Sequence, residues 1–230
     1  MNSEISPMMP EDVFDCLQED SAKDKSYQIW VDGSFLDKDR NKAGIGVIVS
    51  EKDNKTPLFA LAYNISNLKI RKSKYTELWA ASLAMTDLKD LNIDKITCDS
   101  PVTKHRIKNI REGIITSRGQ ERFDVEKDET PELLEHLKRA LSHHPEIHVN
   151  HVNRKTDNMP HSDRFSRNAA KRRLARIFSG AHELDVPCLY KIVNQDGEHR
   201  QAYFFDKMDN YDMDDYIEGS FQDGQDLEIS

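Results

Sequence analysis

Between residues 27 and 64, three β-prone apolar runs follow one another with only short polar loops between them. No other feature of the chain limits its fold as much. The runs are YQIWVDGSF (27–35), AGIGVIVS (43–50) and PLFALAYN (57–64), and the loops carry DKDRNK and EKDNKT. Strands joined this closely pair as antiparallel neighbours, because a parallel connection needs about a dozen residues or more. The core is therefore predicted to begin with a three-stranded meander.

After residue 72 the period changes. SKYTELWAASLAMTDLKDL sets Leu78, Ala81, Met85 and Leu88 at helical spacing, with Ser73 as the expected N-cap. DKITCDS (94–100) reads as a short strand, and Pro101 opens a helix through Arg111. Thr130-Pro131-Glu132 starts another helix, to about Ser142. EIHVNHV (146–152) reads as a strand, and a basic helix is predicted from about His161 to Phe178. Residues 113–129 are polar and take no assignment. The order β-β-β-α-β-α-α-β-α describes a mixed five-stranded α/β sheet flanked by helices, with the later strands parallel to the first. Beyond it, PCLYKIVNQDGEHRQAYFF (187–205) places two β-prone runs around Asn194-Gln195-Asp196-Gly197, so a hairpin is expected after the core.

Four acids stand where surface residues are not expected. Asp32 ends the first apolar run, and Asp99 ends the strand before Ser100 and Pro101. Glu77 borders the buried face of the first long helix, and Asp163 shares a face with Ala170 and Leu174. Singly, each has a plain explanation: a turn former in the case of the aspartates that end strands, or an acid favoured near a helix start. If the two strands are neighbours, however, Asp32 and Asp99 lie side by side. Like charges that close raise a pKa unless a cation intervenes. Hard divalent cations bind such oxygen ligands, and two of them about 4 Å apart can clamp both the attacking and leaving oxygens of a phosphodiester.

With VDGSF, YTELWAASLA, TCDS and HSDRFSRNAAK in this order, and AGIGVIV as second strand, residues 26–178 resemble the ribonuclease H family, type 1-like. The resemblance implies an RNase H-like fold. It also implies metal ligation by Asp32, Glu77, Asp99 and Asp163, with two Mg2+ ions (or Mn2+). The implied reaction is hydrolysis of the RNA strand of an RNA–DNA hybrid, leaving 5′-phosphate and 3′-hydroxyl ends. Nucleic-acid contacts are expected at Gly33, Ser34, Ser73, Lys74, Ser100, Lys104, Arg164 and Arg167. A loop histidine assists product release in some members, and either His161 or His151 could serve, with His161 favoured. Ser73 and Lys74 stand where many members carry paired asparagines, and Pro101 stands where glutamine is frequent. These departures keep open a nuclease of the same fold acting on another nucleic acid. A non-catalytic nucleic-acid-binding or scaffold module is a third reading, against which the presence of all four acids weighs.

Charge distribution agrees with a nucleic-acid partner. The whole chain carries −8, yet residues 206–230 hold nine acids and one lysine, and residues 1–25 hold seven acids and two lysines. The part between them is therefore net positive. Residues 164–176 alone hold six Arg or Lys and no acid. The expected organisation is a flexible acidic arm (1–25), a catalytic domain (26–178), an extension with a hairpin (179–205) and an acidic disordered tail (206–230). The hairpin or tail offers a place for a protein partner, and a monomer is expected.

The longest apolar run, Ala43 to Val49, is too short to span a bilayer. The acidic start lacks a secretory pattern, and Cys16, Cys98 and Cys188 have no disulfide or metal spacing, so a cytoplasmic protein is expected. His148 and His151 point to opposite faces of their strand, which argues against zinc.

Overall fold

Alternation along the central strand sorts the apolar residues onto two faces, and each face is covered by helices. A computed structural model describes residues 25–37, 42–68, 70, 72–112, 130–194 and 199–205. In chain order the strands are β1 (Tyr27–Asp37), β2 (Lys42–Glu51), β3 (Pro57–Asn64), β4 (Ile93–Cys98), β5 (His148–His151), β6 (Cys188–Val193) and β7 (His199–Phe205). The helices are α1 (Ser73–Asp87), α2 (Pro101–Arg111), α3 (Thr130–His143), α4 (Met159–Ala170) and α5 (Leu174–Glu183). All seven strands form one sheet in the order β5-β4-β1-β2-β3-β6-β7.

The predicted meander is present: β1, β2 and β3 pair antiparallel, with Asp32 opposite Gly46. β4 lies parallel to β1, and β5 parallel to β4, as the reading of the later strands requires. Ile29, Val31, Val47 and Leu61 face Leu78 and Leu83 of α1, Ile107 of α2 and Leu137 of α3. Trp30, Ile48 and Ala62 face the other way, onto Phe165 of α4 and Ile177 of α5. A sheet buried on both sides accounts for near-continuous apolar runs such as GIGVIV. Gly46 lets α4 lie directly on β2, since a Cβ there would strike the Ser162 carbonyl.

Several expectations are corrected. The hairpin is not an appendage to a five-stranded sheet. β6 pairs parallel with β3, and β7 antiparallel with β6, so both strands extend the same sheet. All six residues of β6 are buried, and its backbone pairs with the edge that β3 would otherwise expose. The single helix over 161–178 is two helices. The chain turns at Lys171–Arg173, where Arg172 takes φ 51° and its N–H bonds to the Ala169 carbonyl. One straight helix could not cover both β2 and β6. α4 also starts earlier than predicted, because the Asn158 carbonyl accepts from His161 and Ser162 and closes the first turn. Ser73 is the first helical residue and not the cap. Lys72 holds that place, its carbonyl accepting from the Tyr75 N–H.

The arm, the tail, the 113–129 stretch and most of the predicted hairpin turn lie outside the described residues. No described helix is long and apolar enough to cross a membrane.

Candidate metal centre

Three elements bring three carboxylates together. Asp32 is on β1, the third strand in from the β5 edge, and is 1% exposed. Glu77 is in the second turn of α1, which can approach because Gly33 has no side chain: a Cβ there would collide with the Thr76 carbonyl and the Glu77 N–H. Asp99 follows the end of β4, parallel to β1, so the expected juxtaposition with Asp32 holds. Each of the three offers an oxygen, and these lie within 4.8 Å of one another.

Asp163 stands next to this trio, on α4. Its Oδ2 lies 3.0 Å from Arg167 Nη2, and its Oδ1 pairs with Arg154 Nη2. Ser166, one turn along α4, sets its Oγ 2.8 Å from both Asp32 Oδ2 and the Asp163 carbonyl oxygen, which share its one hydroxyl proton. One serine thus ties β1 to α4 at the site.

The electrostatics follow from burial and crowding. Burial is the main reason that the Asp32 carboxyl is pushed up to about 7, with Asp99 and Asp163 adding to the rise; the Ser166 hydrogen bond and Arg154 oppose it. Burial also raises Glu77 well above the ordinary carboxylate range, helped by Asp32 and Asp99 and opposed by a hydrogen bond from the Gly33 N–H. Glu77 Oε2 is buried without a hydrogen-bond partner. A buried polar atom of this kind is rarely left unmet in a native protein. The donors are all hard carboxylate oxygens, the set that Mg2+ and Mn2+ prefer, so the residues fit such an ion.

The antiparallel meander, the parallel β4 and β5 and the helices on both faces match the fold that the sequence resemblance implies. The fold is RNase H-like. No protein-family model matches the chain. No curated protein matches it either. Among solved structures it is similar to the N-terminal RNase H domain of a Mycobacterium tuberculosis protein, at 17% identity and a TM-score of 0.44, over 68% of this chain and 99% of that one. It is also similar to RNase H1 from the halophilic archaeon Halobacterium salinarum, at 15% identity and a TM-score of 0.45, over 64% of this chain and 98% of that one.

The remaining expected site residues sit in different surroundings. Ser34 is buried on β1. Ser100 caps α2, its side chain accepting from the Thr103 N–H at 3.3 Å. Ser73 is exposed at the start of α1, and Lys74 Nζ lies 4.9 Å from the Tyr75 ring centre. Lys104 is exposed on the first turn of α2. Arg164 is engaged with α5: it pairs with Glu183 and donates to the Gly180 carbonyl at 3.3 Å. His161 Nδ1 lies 3.4 Å from Arg164 Nη2, and its pKa is lowered by burial and then by that guanidinium. His151 is exposed, and its Nε2 lies 3.1 Å from the Asp99 carbonyl oxygen, so of the two histidines it is the one bonded to the backbone of a site acid.

Arg154 was missed by the sequence reading. Besides Asp163, its Nε lies 3.9 Å from Asp99 Oδ2. A signal was available: three acids gathered without a partner require a cation, and Arg154 is the first basic residue after β5 in the loop leading to Asp163.

Proposed function

We propose that the chain is a divalent-metal-dependent nuclease of the ribonuclease H type, hydrolysing the RNA strand of RNA–DNA hybrids to leave 5′-phosphate and 3′-hydroxyl ends. One observation carries this reading: oxygens of Asp32, Glu77 and Asp99 converge within 4.8 Å while Glu77 Oε2 is buried and unbonded. Asp32, Glu77, Asp99 and Asp163 are the residues that would hold two ions, Mg2+ or Mn2+. Ions of this class lower the pKa of water and neutralise charge on a phosphodiester.

The chain's own contribution is position. β1 and the Ser166 hydroxyl hold the Asp32 carboxylate in one place. The Gly33 N–H orients Glu77. Asp99 is presented at the mouth of α2, whose N-terminal dipole favours an approaching anion. Lys74, Lys104 and Arg167, all at least partly exposed, are the proposed phosphate contacts, with Gly33, Ser34, Ser73 and Ser100 closer to the strand being cut. Arg164 belongs to the same basic stretch, and His151 or His161 is proposed to assist product release.

Purified protein is incubated with labelled hybrid, duplex RNA, single-stranded RNA and duplex DNA, with Mg2+, Mn2+ or chelator, beside Asp32→Asn. Metal-dependent hybrid cleavage that Asp32→Asn loses is expected. Ser73 and Lys74, in place of paired asparagines, make the RNA-only arms informative: cleavage there in place of hybrid points to a different substrate on the same site. Hybrid cleavage that persists in chelator or in Asp32→Asn would refute the metal reading.

A further inference from the structure

The guanidinium of Arg154 lies between two of the carboxylates that the proposed function assigns to metal. It pairs with Asp163 Oδ1 and reaches to 3.9 Å from Asp99 Oδ2, and it lowers the pKa of both Asp32 and Glu77. Its side chain is 52% exposed. A side chain so placed is held by charge and not by packing, and it can swing outward without disturbing the core. Lys155, next in the loop, has its N–H anchored to Asn153 Oδ1 at 3.0 Å, and Thr156 N–H bonds to the Asn153 carbonyl at 2.9 Å. The backbone that carries Arg154 is therefore turned and fixed while its side chain projects into the site.

We propose that Arg154 is a built-in counter-cation of this site: it links Asp99 to Asp163 and competes with a divalent ion for those two carboxylates. The same positive charge cannot share their oxygens with a second cation at close range without strong repulsion. A bound ion therefore drives the guanidinium off at least one carboxylate, and the freed fork, still at the mouth of the site, suits a phosphate oxygen. Coupling is reciprocal, so Arg154 weakens metal binding by the same factor by which metal loosens Arg154. This inference rests on the metal reading of the site.

The test is Mn2+ titration by calorimetry on the full chain, wild type against Arg154→Gln and Arg154→Lys, with Asp32→Asn as the site control, and melting temperatures with and without Mn2+. Arg154→Gln is expected to bind Mn2+ about five- to tenfold more tightly, the low end of ordinary coupling between competing ligands. It is also expected to melt lower than wild type without Mn2+ and level with it in saturating Mn2+. Arg154→Lys should keep most of the wild-type weakness. Wild type and Arg154→Gln binding Mn2+ equally, or the variant more weakly, overturns the proposal while leaving the metal reading intact. Equal losses in melting temperature with and without Mn2+ assign Arg154 a purely structural role and overturn it as well. If neither protein binds Mn2+, the metal reading fails and the proposal with it.

Discussion

Asp32 is costly to keep. Its carboxyl, pushed up to about 7 chiefly by burial, must be ionised at alkaline pH next to Glu77 and Asp99. Asparagine preserves the shape and still accepts from Ser166. Asp32→Asn is therefore expected to raise the melting temperature of the metal-free protein by a few degrees, at about 2–4 °C per kcal/mol for a chain of this length. It should also abolish any rise on adding Mn2+. Differential scanning fluorimetry at about pH 8, with and without Mn2+, reads both effects; a variant that melts lower in chelator contradicts the account. The acids were legible in the sequence because a carboxylate closing an apolar run violates an otherwise consistent local pattern. Arg154 was not, because a cation in a polar loop violates nothing. Lys191 broke the pattern of LYKIV, yet nothing nearby in sequence named its partner. That partner is Asp87, distant in the chain and at the end of α1.

At the scale of elements, the Lys191–Asp87 pair joins β6 to α1, and the Tyr63 hydroxyl on β3 also donates to Asp87 at 3.0 Å. Lys191 is 3% exposed. Asp87→Ala strands that ammonium and is expected to lose about 3–5 kcal/mol in denaturant unfolding, whereas Asp87→Ala/Lys191→Met should recover much of the loss. Equal losses in single and double variants would contradict this. α1 also meets α3 and the residues just after it through two histidines. Ser82 Oγ lies 2.6 Å from His136 Nδ1, and His144 Nε2 bonds the Met85 carbonyl at 3.0 Å. Burial is the first cause that lowers both pKa values below the ordinary 6.5. The unfolded chain therefore takes up these protons first as pH falls. Their contribution is fully present above 6.5 and is lost as pH drops through it. Asp32 and Glu77, raised by burial, take up protons in the folded state over the same range and act in the opposite sense, so the histidine contribution is read as a difference. Relative to His144→Gln, whose amide can still donate to Met85, the wild type should lose unfolding free energy between about pH 7 and pH 5. Helices and meander were readable from period and loop length. The break at Lys171–Arg173 was not, because basic residues suit a helix face and an interhelical corner alike.

Across the whole molecule, the sheet unites segments far apart in sequence. Ala60 pairs with Cys188 and Tyr63 with Lys191. Parallel pairing over that separation leaves no local trace, so a hairpin was legible but its docking edge was not. A chain cut after Glu183 loses β6 and β7 and bares the β3 edge, with Ala60, Leu61 and Ala62 along it. Loss of a single cooperative unfolding transition, and self-association on gel filtration, are expected of it. A truncated monomer that melts like the full chain would show the two strands to be dispensable. Asp32, finally, sits on a strand paired along both edges, clasped by α1 on one face and α4 on the other. Amide exchange in β1 should accordingly be among the slowest in the chain, and the core of the site should open only with the fold itself, so its working lifetime is that of the native state.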